Sequence, residues 1–186
     1  MFAPGSEGRA LLVATLAFLL LFLALAAPTS WQSAEPRPMA PSVLLALALA
    51  ALSAIDLRYY RLPDAITLPL AASGLAVSAW TGMQPLWWSA LSALICFAVL
   101  AGVASAYRHI RGRPGLGLGD AKLLGAAGSW TGAEALPTVL LWATGLALTC
   151  VLLAHFSGRT MTHSTRLPFG PFLASATWLT WLYGPL

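Results

Sequence analysis

The chain has 186 residues, of which 59% are hydrophobic and 9% are charged, whereas a soluble domain averages about 25% charged residues. With a mean hydropathy of +0.78, this composition excludes an ordinary soluble globular protein, because one folded core could not hide so much apolar surface from water. The net charge is +4, but no face combining aromatic and basic residues accompanies it, so we expect no nucleic-acid binding. The length fits about seven membrane-spanning helices.

Apolar runs along the chain predict an all-α bundle of seven transmembrane helices, which together form a single integral-membrane domain over residues 1–186. The first run, residues 10–27, is followed directly by Pro28, and we interpret it as a retained span rather than a cleavable signal. The remaining core, residues 42–186, is predicted to hold helices at 42–60, 65–80, 86–107, 120–130, 137–156 and 169–183.

The basic residues fall on one side of these predicted spans. That side holds Arg9, Arg58, Arg61, Arg108, Arg111, Arg113, Lys122, Arg159 and Arg166, whereas the opposite side holds Glu35, Arg37 and Glu134. Cytoplasmic loops of membrane proteins carry such an excess of Lys and Arg. We therefore expect a cytoplasmic N-terminus, with the basic loops contacting anionic lipid.

Two acids are predicted to lie within the membrane boundary, where an ionisable group costs roughly 2.5–3.5 kcal/mol at a helix centre. Asp56 lies about one turn before Arg61, and Asp120 opens the predicted fifth helix. Each has a structural interpretation: Asp120 as a helix N-cap and Asp56 as an ion-pair partner of Arg58 or Arg61. Together they also form a possible pair of carboxylates that share one proton and activate water.

Other chemistries find no support in the sequence. The chain has no HExxH or GxSxG motif, and its three histidines, His109, His155 and His163, lack metal-ligand spacing. The two cysteines, Cys96 and Cys150, lie in separate apolar runs, so no disulfide framework is expected. The glycines at 115, 117 and 119 follow no predicted strand and indicate a flexible turn rather than a nucleotide loop. We expect neither a metal nor another cofactor.

Three segments, in chain order, resemble the motifs of the type IV prepilin peptidases. Residues 56–64 resemble the first aspartate motif, an Asp followed seven residues later by Pro and then by Asp or Asn. Residues 117–124 resemble the second, the GxGD signature that presenilin-type intramembrane proteases share in outline. Residues 168–172 resemble the segment that precedes the last helix of these peptidases.

This resemblance implies an aspartic endopeptidase of the bacterial inner membrane that needs no cofactor. It implies that Asp56 and Asp120 are the catalytic pair, and that the substrate is a prepilin or pseudopilin with a short basic leader ending in Gly. It also implies substrate-positioning roles for the other motif residues, which are Pro63, Asp64, Gly117, Gly119, Lys122 and Gly170. Many relatives carry an N-terminal domain with CxxC motifs and a methyltransferase activity, and we expect this chain to resemble the shorter, peptidase-only members.

Helix dipoles predict different roles for the two acids. Asp56 lies near a helix C-terminus, which disfavours negative charge, and Asp120 begins a helix, which favours it. Asp120 is therefore predicted to be the base and Asp56 the protonated acid, unless Arg58 and Arg61 reverse this order.

The sequence leaves several roles open. Lys122 is expected either to anchor the chain at the interface or to meet an acid on the substrate, and Asp64 is expected to cap a helix. Two other functions also stay open, a small ion- or proton-coupled carrier and a catalytically inactive assembly subunit. The oligomeric state is not predicted.

Overall fold

The computed structural model describes residues 38–112, 117–156 and 168–186. Within these residues the chain forms α-helices and one short 3-10 helix, with no β-strand, so the predicted all-helical fold is confirmed. The helices are α1 (Met39–Tyr59), α2 (Asp64–Thr81), α3 (Leu86–Arg111), α4 (Leu118–Thr131), α5 (Leu136–Phe156) and α6 (Gly170–Tyr183), with the 3-10 helix at Ala133–Ala135. The span predicted at residues 10–27 lies outside the described residues.

The described helices begin and end close to their predicted bounds, and the reason is local. Helix α1 does continue past Ile55 as predicted, and it is followed by Tyr60, whose φ of 53° is left-handed. Helices α2 and α3 are followed by Gly82 and Gly112, which adopt left-handed φ angles of 67° and 66°. Glycine takes this conformation without steric cost and commonly follows the last residue of a helix.

Three of the described segments are long and apolar enough to cross a membrane. They are Met39–Tyr59, Leu86–Arg111 and Ala133–Leu152. Helices α4 and α6 have 14 residues each, about 21 Å of helix, which is shorter than a hydrocarbon core of about 30 Å.

Helix α4 forms the buried centre of the bundle. Nine residues of this helix are buried, namely Ala121 and the eight residues from Leu123 to Trp130. It packs against α2, α3 and α6, whereas the long apolar helices α3 and α5 expose many leucines outward. The short, small-residue helix is therefore surrounded by α2, α3 and α6, while α3 and α5 present their leucines to the outside, as expected of a protein whose outer surface meets lipid.

Glycines let α4 approach its neighbours closely. A Cβ atom on Gly128 would lie 2.7 Å from both the Sγ atom of Cys96 and the carbonyl oxygen of Ser92 on α3. A Cβ atom on Gly74 of α2 would collide with the side chain of Ser129. Small residues at helix interfaces are the usual means of close packing in membrane proteins.

Buried hydroxyl groups join α2, α3 and α4 at the end of the bundle that lies away from Asp56. Ser89 donates a hydrogen bond of 2.5 Å to the carbonyl oxygen of Ser129, and its hydroxyl lies 3.1 Å from that of Ser78. The side chain of Gln84 also donates to the carbonyl oxygen of Ser129. These bonds fix the turn between α2 and α3 against the end of α4.

We predict that Gly128→Ala lowers the thermal unfolding midpoint of the protein in detergent. The added methyl group would overlap two atoms of α3, and overpacking of this kind costs about 1–3 kcal/mol. The matched control is Gly102→Ala in α3, because a Cβ atom there meets nothing within 4 Å. Gly102→Ala should leave the midpoint unchanged or raise it, since Ala favours helix more than Gly does. Equal midpoints for the two variants would contradict the close packing of α3 on α4.

Candidate active site

A cavity of about 660 Å³ lies where α1 ends and where α2 and α4 begin. Its lining comprises Ile55 and Asp56 of α1, residues 59–64 of the following turn, and Gly117, Gly119 and Asp120. Most of the first aspartate motif and the start of the second therefore line one space. The topology explains this: successive antiparallel helices bring the end of α1 and the start of α4 to the same end of the bundle.

Asp56 is almost fully buried, with 6% of its surface exposed. It forms no ion pair with a described residue, so the predicted pairing with Arg58 or Arg61 is wrong for these residues. Arg58 instead lies over the ring of Tyr59, 5.5 Å from its centroid. One oxygen of Asp56, Oδ2, accepts a hydrogen bond of 3.0 Å from the backbone N–H of Gly170.

Asp120 lies in the first turn of α4 and is half-buried. The helix begins at Leu118 with Gly117 as its N-cap, and no side chain caps it. The prediction that Asp120 is the N-cap is therefore wrong, because the glycine-rich turn enters the helix two residues earlier. The Asp120 carboxyl, two residues into the helix, accepts a hydrogen bond from the backbone N–H of Gly117 and also lines the cavity.

The two carboxyl groups act on each other electrostatically. Both line the cavity, and the negative charge of Asp56 reaches the carboxyl of Asp120. Two carboxylates sharing a site resist simultaneous ionisation, because like charges in a poorly solvated space repel. The structure thus places the two acids that the sequence singled out on the wall of one cavity.

The glycines of the second motif are required by close contacts. A Cβ atom on Gly119 would lie 3.0 Å from the Cβ atom of Leu62, in the turn between α1 and α2. A Cβ atom on Gly117 would lie 3.2 Å from Oδ2 of Asp120. A side chain at position 119 would push the turn away, and one at position 117 would displace the Asp120 carboxyl, so Gly119 keeps the two motifs in contact and Gly117 leaves room for the carboxyl.

The third motif also reaches the site. The segment begins α6, as predicted, with Gly170 as the first helical residue and Pro171 next to it. A Cβ atom on Gly170 would lie 2.6 Å from Oδ2 of Asp56. The flanking Phe169 and Phe172 pack against the hydrophobic core, which holds the start of α6 against α1.

Lys122 pairs with Asp64 rather than standing alone at the interface. Its ammonium group lies 2.6 Å and 2.7 Å from the two carboxylate oxygens of Asp64. The prediction that Asp64 caps α2 is wrong: the N-cap is Pro63, and no side chain caps the helix. The pair ties the start of α2 to the start of α4, beside the cavity.

Sequence reasoning missed some residues of the cavity wall. Tyr59, Tyr60 and Leu62 line it, and none of the three was among the predicted site residues. Their place inside the first motif, between Asp56 and Pro63, was the available signal. Among the described residues, no group of three or more His, Cys, Asp or Glu side chains is arranged to hold a metal ion.

The chain is similar to the type IV leader peptidase family, whose sequence profile matches residues 43–153. It is 41% identical over 140 residues to a prepilin leader peptidase/N-methyltransferase of Burkholderia pseudomallei, covering 75% of this chain and 45% of that protein. It is 38% identical over 149 residues to one of Aeromonas salmonicida, covering 77% and 49% of the two chains. The match to one of Dichelobacter nodosus is 35% identical over 165 residues and covers 89% and 56%.

The chain spans about half the length of these curated relatives. The profile match covers both aspartates and stops before Gly170. No solved structure is a significant match to the chain.

We predict that the Lys122–Asp64 pair contributes little to stability. The two side chains are 35% and 54% exposed, and exposed ion pairs are worth about 0–1 kcal/mol. In a double-mutant cycle of Lys122→Gln and Asp64→Asn, followed by chemical unfolding in mixed micelles, the coupling energy should stay below about 1 kcal/mol. A coupling of several kcal/mol would mean that lipid or protein shields the pair from water.

Proposed function

The chain belongs to the type IV leader peptidase family, and we propose that it is an intramembrane aspartic endopeptidase. Its proposed substrates are prepilins or pseudopilin-like proteins, from which it removes the short basic leader at the cytoplasmic face of the inner membrane. The observation that carries this proposal is the pair of carboxyl groups, Asp56 and Asp120, which two different helices place in one cavity.

The proposed reaction uses one water molecule held between the two acids. The ionised carboxylate takes a proton from the water, whose oxygen attacks the carbonyl carbon of the scissile peptide bond. The protonated carboxyl donates a hydrogen bond to the carbonyl oxygen as negative charge develops there. Collapse of the tetrahedral intermediate breaks the C–N bond, and the departing amine receives a proton from the dyad. No covalent enzyme intermediate forms.

The cavity and the helix faces around it suit a substrate with a basic leader followed by an apolar helix. The cavity is lined by the carboxyl groups of Asp56, Asp64 and Asp120 and by the guanidinium group of Arg61, and Asp64 is paired with Lys122, so the ionised member of the dyad is the carboxylate left to attract a basic leader. The outer faces of the neighbouring helices are apolar and would accommodate the hydrophobic helix that follows the leader. The substrate helix must unwind at the peptide bond that is cut, since the carbonyl groups of a helix are engaged in hydrogen bonds.

The proposed placement in the membrane follows the charge pattern. The last turn of α3 carries Arg108, His109 and Arg111, and the last turn of α1 carries Arg58, both at the end of the bundle that holds the cavity. The positive-inside rule assigns this end to the cytoplasm. With the segment at 10–27 as a first span, the N-terminus is proposed to be cytoplasmic and the bundle to have seven spans, several of them short and enclosed by protein.

We predict that Asp56→Asn and Asp120→Asn each lower the rate of leader removal by at least about 100-fold, because an amide cannot accept and return the proton. The measurement is cleavage of a prepilin by purified protein in lipid, resolved by mass spectrometry. A suitable control is Glu134→Gln, at the other end of the bundle. Glu134 accepts a hydrogen bond of 2.9 Å from the indole N–H of Trp88, which the amide oxygen of Gln can also accept.

Glu134→Gln should cleave like the unchanged protein. Substantial cleavage by either aspartate variant would overturn the dyad. Absence of cleavage by the unchanged protein, tested with prepilins from its own source, would instead favour the carrier or assembly functions.

A further inference from the structure

Gly170 makes the one hydrogen bond to the Asp56 carboxylate that comes from a described residue. Its N–H donates to Oδ2 across 3.0 Å in a buried contact between residues 114 positions apart in the sequence. The first N–H groups of a helix have no partner within the helix. The first N–H group of α6, that of Gly170, therefore finds its hydrogen-bond partner in the carboxylate of Asp56 on α1.

The space around Gly170 admits no side chain. A Cβ atom there would lie 2.6 Å from Oδ2 and 3.0 Å from the Cγ atom of Asp56. The backbone of Gly170 is not left-handed, so another residue could adopt its conformation. The three atoms that a Cβ atom would meet most closely all belong to Asp56, so the contact with Asp56 favours glycine at this position. In α3 and α5, by contrast, Gly102 and Gly145 have open space around a Cβ atom.

The second oxygen of Asp56, Oδ1, remains available. Oδ1 accepts no hydrogen bond from a described residue. Every buried side-chain oxygen and nitrogen among these residues does have a hydrogen-bond partner, so an oxygen without one is not buried. Oδ1 is therefore accessible, and the accessible space beside Asp56 is the cavity. The carboxylate is held by one oxygen and open to water through the other.

The contact also favours negative charge on Asp56. An N–H donor at a helix N-terminus stabilises an anion through both the hydrogen bond and the helix dipole. Helix α6 has no charged side chain, so the start of α6 acts on Asp56 through its backbone alone. The charged and titratable groups next to Asp56 on α1 itself are Arg58 and Tyr59. From the other elements, Tyr60, Arg61, Asp64 and Asp120 line the same cavity, and Lys122 is paired with Asp64.

We propose that Gly170 is a positioning residue that holds Oδ2 of Asp56, keeps this carboxyl ionised and thereby makes Asp56 the base and Asp120 the proton donor. This inference rests on the proposed peptidase function. It reverses the roles that the dipoles of α1 and α4 predict, which are Asp120 as the base and Asp56 as the protonated acid. Those dipoles act along each acid's own helix. Gly170 brings the positive end of a third helix to Asp56.

The test is Gly170→Ala in purified protein, with Gly102→Ala as the matched control. Loss of a hydrogen bond to a charged group should lower kcat by roughly 10- to 100-fold, with little change in KM. The acid limb of the pH profile of kcat should move to higher pH by about one unit. The sign follows because a base that loses its donor takes up a proton more readily, and so becomes inactive at a higher pH. Gly102→Ala should change neither quantity.

The pH profile separates the two assignments of roles. If Asp56 were the proton donor, the loss of the hydrogen bond would move the alkaline limb upward and leave the acid limb in place. That result, or an unchanged kcat and pH profile, would overturn the inference while leaving the peptidase function standing. Failure of the unchanged protein to cleave any prepilin would overturn the proposed function itself.

A second measurement depends neither on activity nor on the stability of the Gly170 variant. In the unchanged protein, the Gly170 amide hydrogen should exchange slowly with solvent, as followed by NMR in micelles. Asp56→Ala removes the acceptor and should speed this exchange at least about 10-fold. Asp56→Asn retains an acceptor oxygen and should speed it less. The Leu173 amide, bonded to the Phe169 carbonyl oxygen within α6, should exchange equally in all three. Exchange at Gly170 that is unaffected by Asp56→Ala would overturn the inference.

Discussion

Helix α4 packs closely against α3 because glycines of α4 lie at the contact. Larger side chains at these positions would hold the two helices apart. At Gly128 a single methyl group would overlap both a sulfur atom and a carbonyl oxygen of α3, and at Gly125 it would press on Phe97. Because α4 is short and small-sided, it can sit inside the bundle while longer apolar helices face outward. At the start of α4, Gly119 lies against Leu62 of the turn after α1, and Asp120 lines the same cavity as Asp56.

Burial of an acid at this position has a cost that the surrounding backbone offsets. A charged side chain at a membrane helix centre costs roughly 2.5–3.5 kcal/mol, and a hydrogen bond to a charged group contributes about 1.5–3 kcal/mol. Asp56 lies near the end of α1 rather than at its centre, and the hydrogen bond from the Gly170 N–H group offsets part of the cost of burying its charge. Three glycines act in the same way with different neighbours. Gly117 and Gly170 leave room for the carboxyl groups of Asp120 and Asp56, and Gly119 leaves room for the turn at Leu62.

Because apolar runs, prolines and glycines are local signals, the sequence was sufficient to predict the described helices and to single out Asp56 and Asp120. It predicted that α1 continues to the tyrosines and that α6 starts at the third motif, and both predictions are confirmed. The capping roles of Asp64 and Asp120 were wrong, because Pro63 and Gly117 enter their helices first. The Lys122–Asp64 and Gly170–Asp56 contacts could not be predicted, since each joins residues far apart in the chain and depends on how the helices pack.

The central claim is that two carboxyl groups and water suffice to cut the leader. The most direct measurement is cleavage of a prepilin by the purified protein in lipid after exhaustive chelation and with no added cofactor, with the product masses read by mass spectrometry. Two acids that exchange one proton need no metal ion, so the account predicts one cleavage at the leader junction and an unchanged rate. Loss of cleavage on chelation, restored by adding a divalent cation, would contradict the aspartic mechanism.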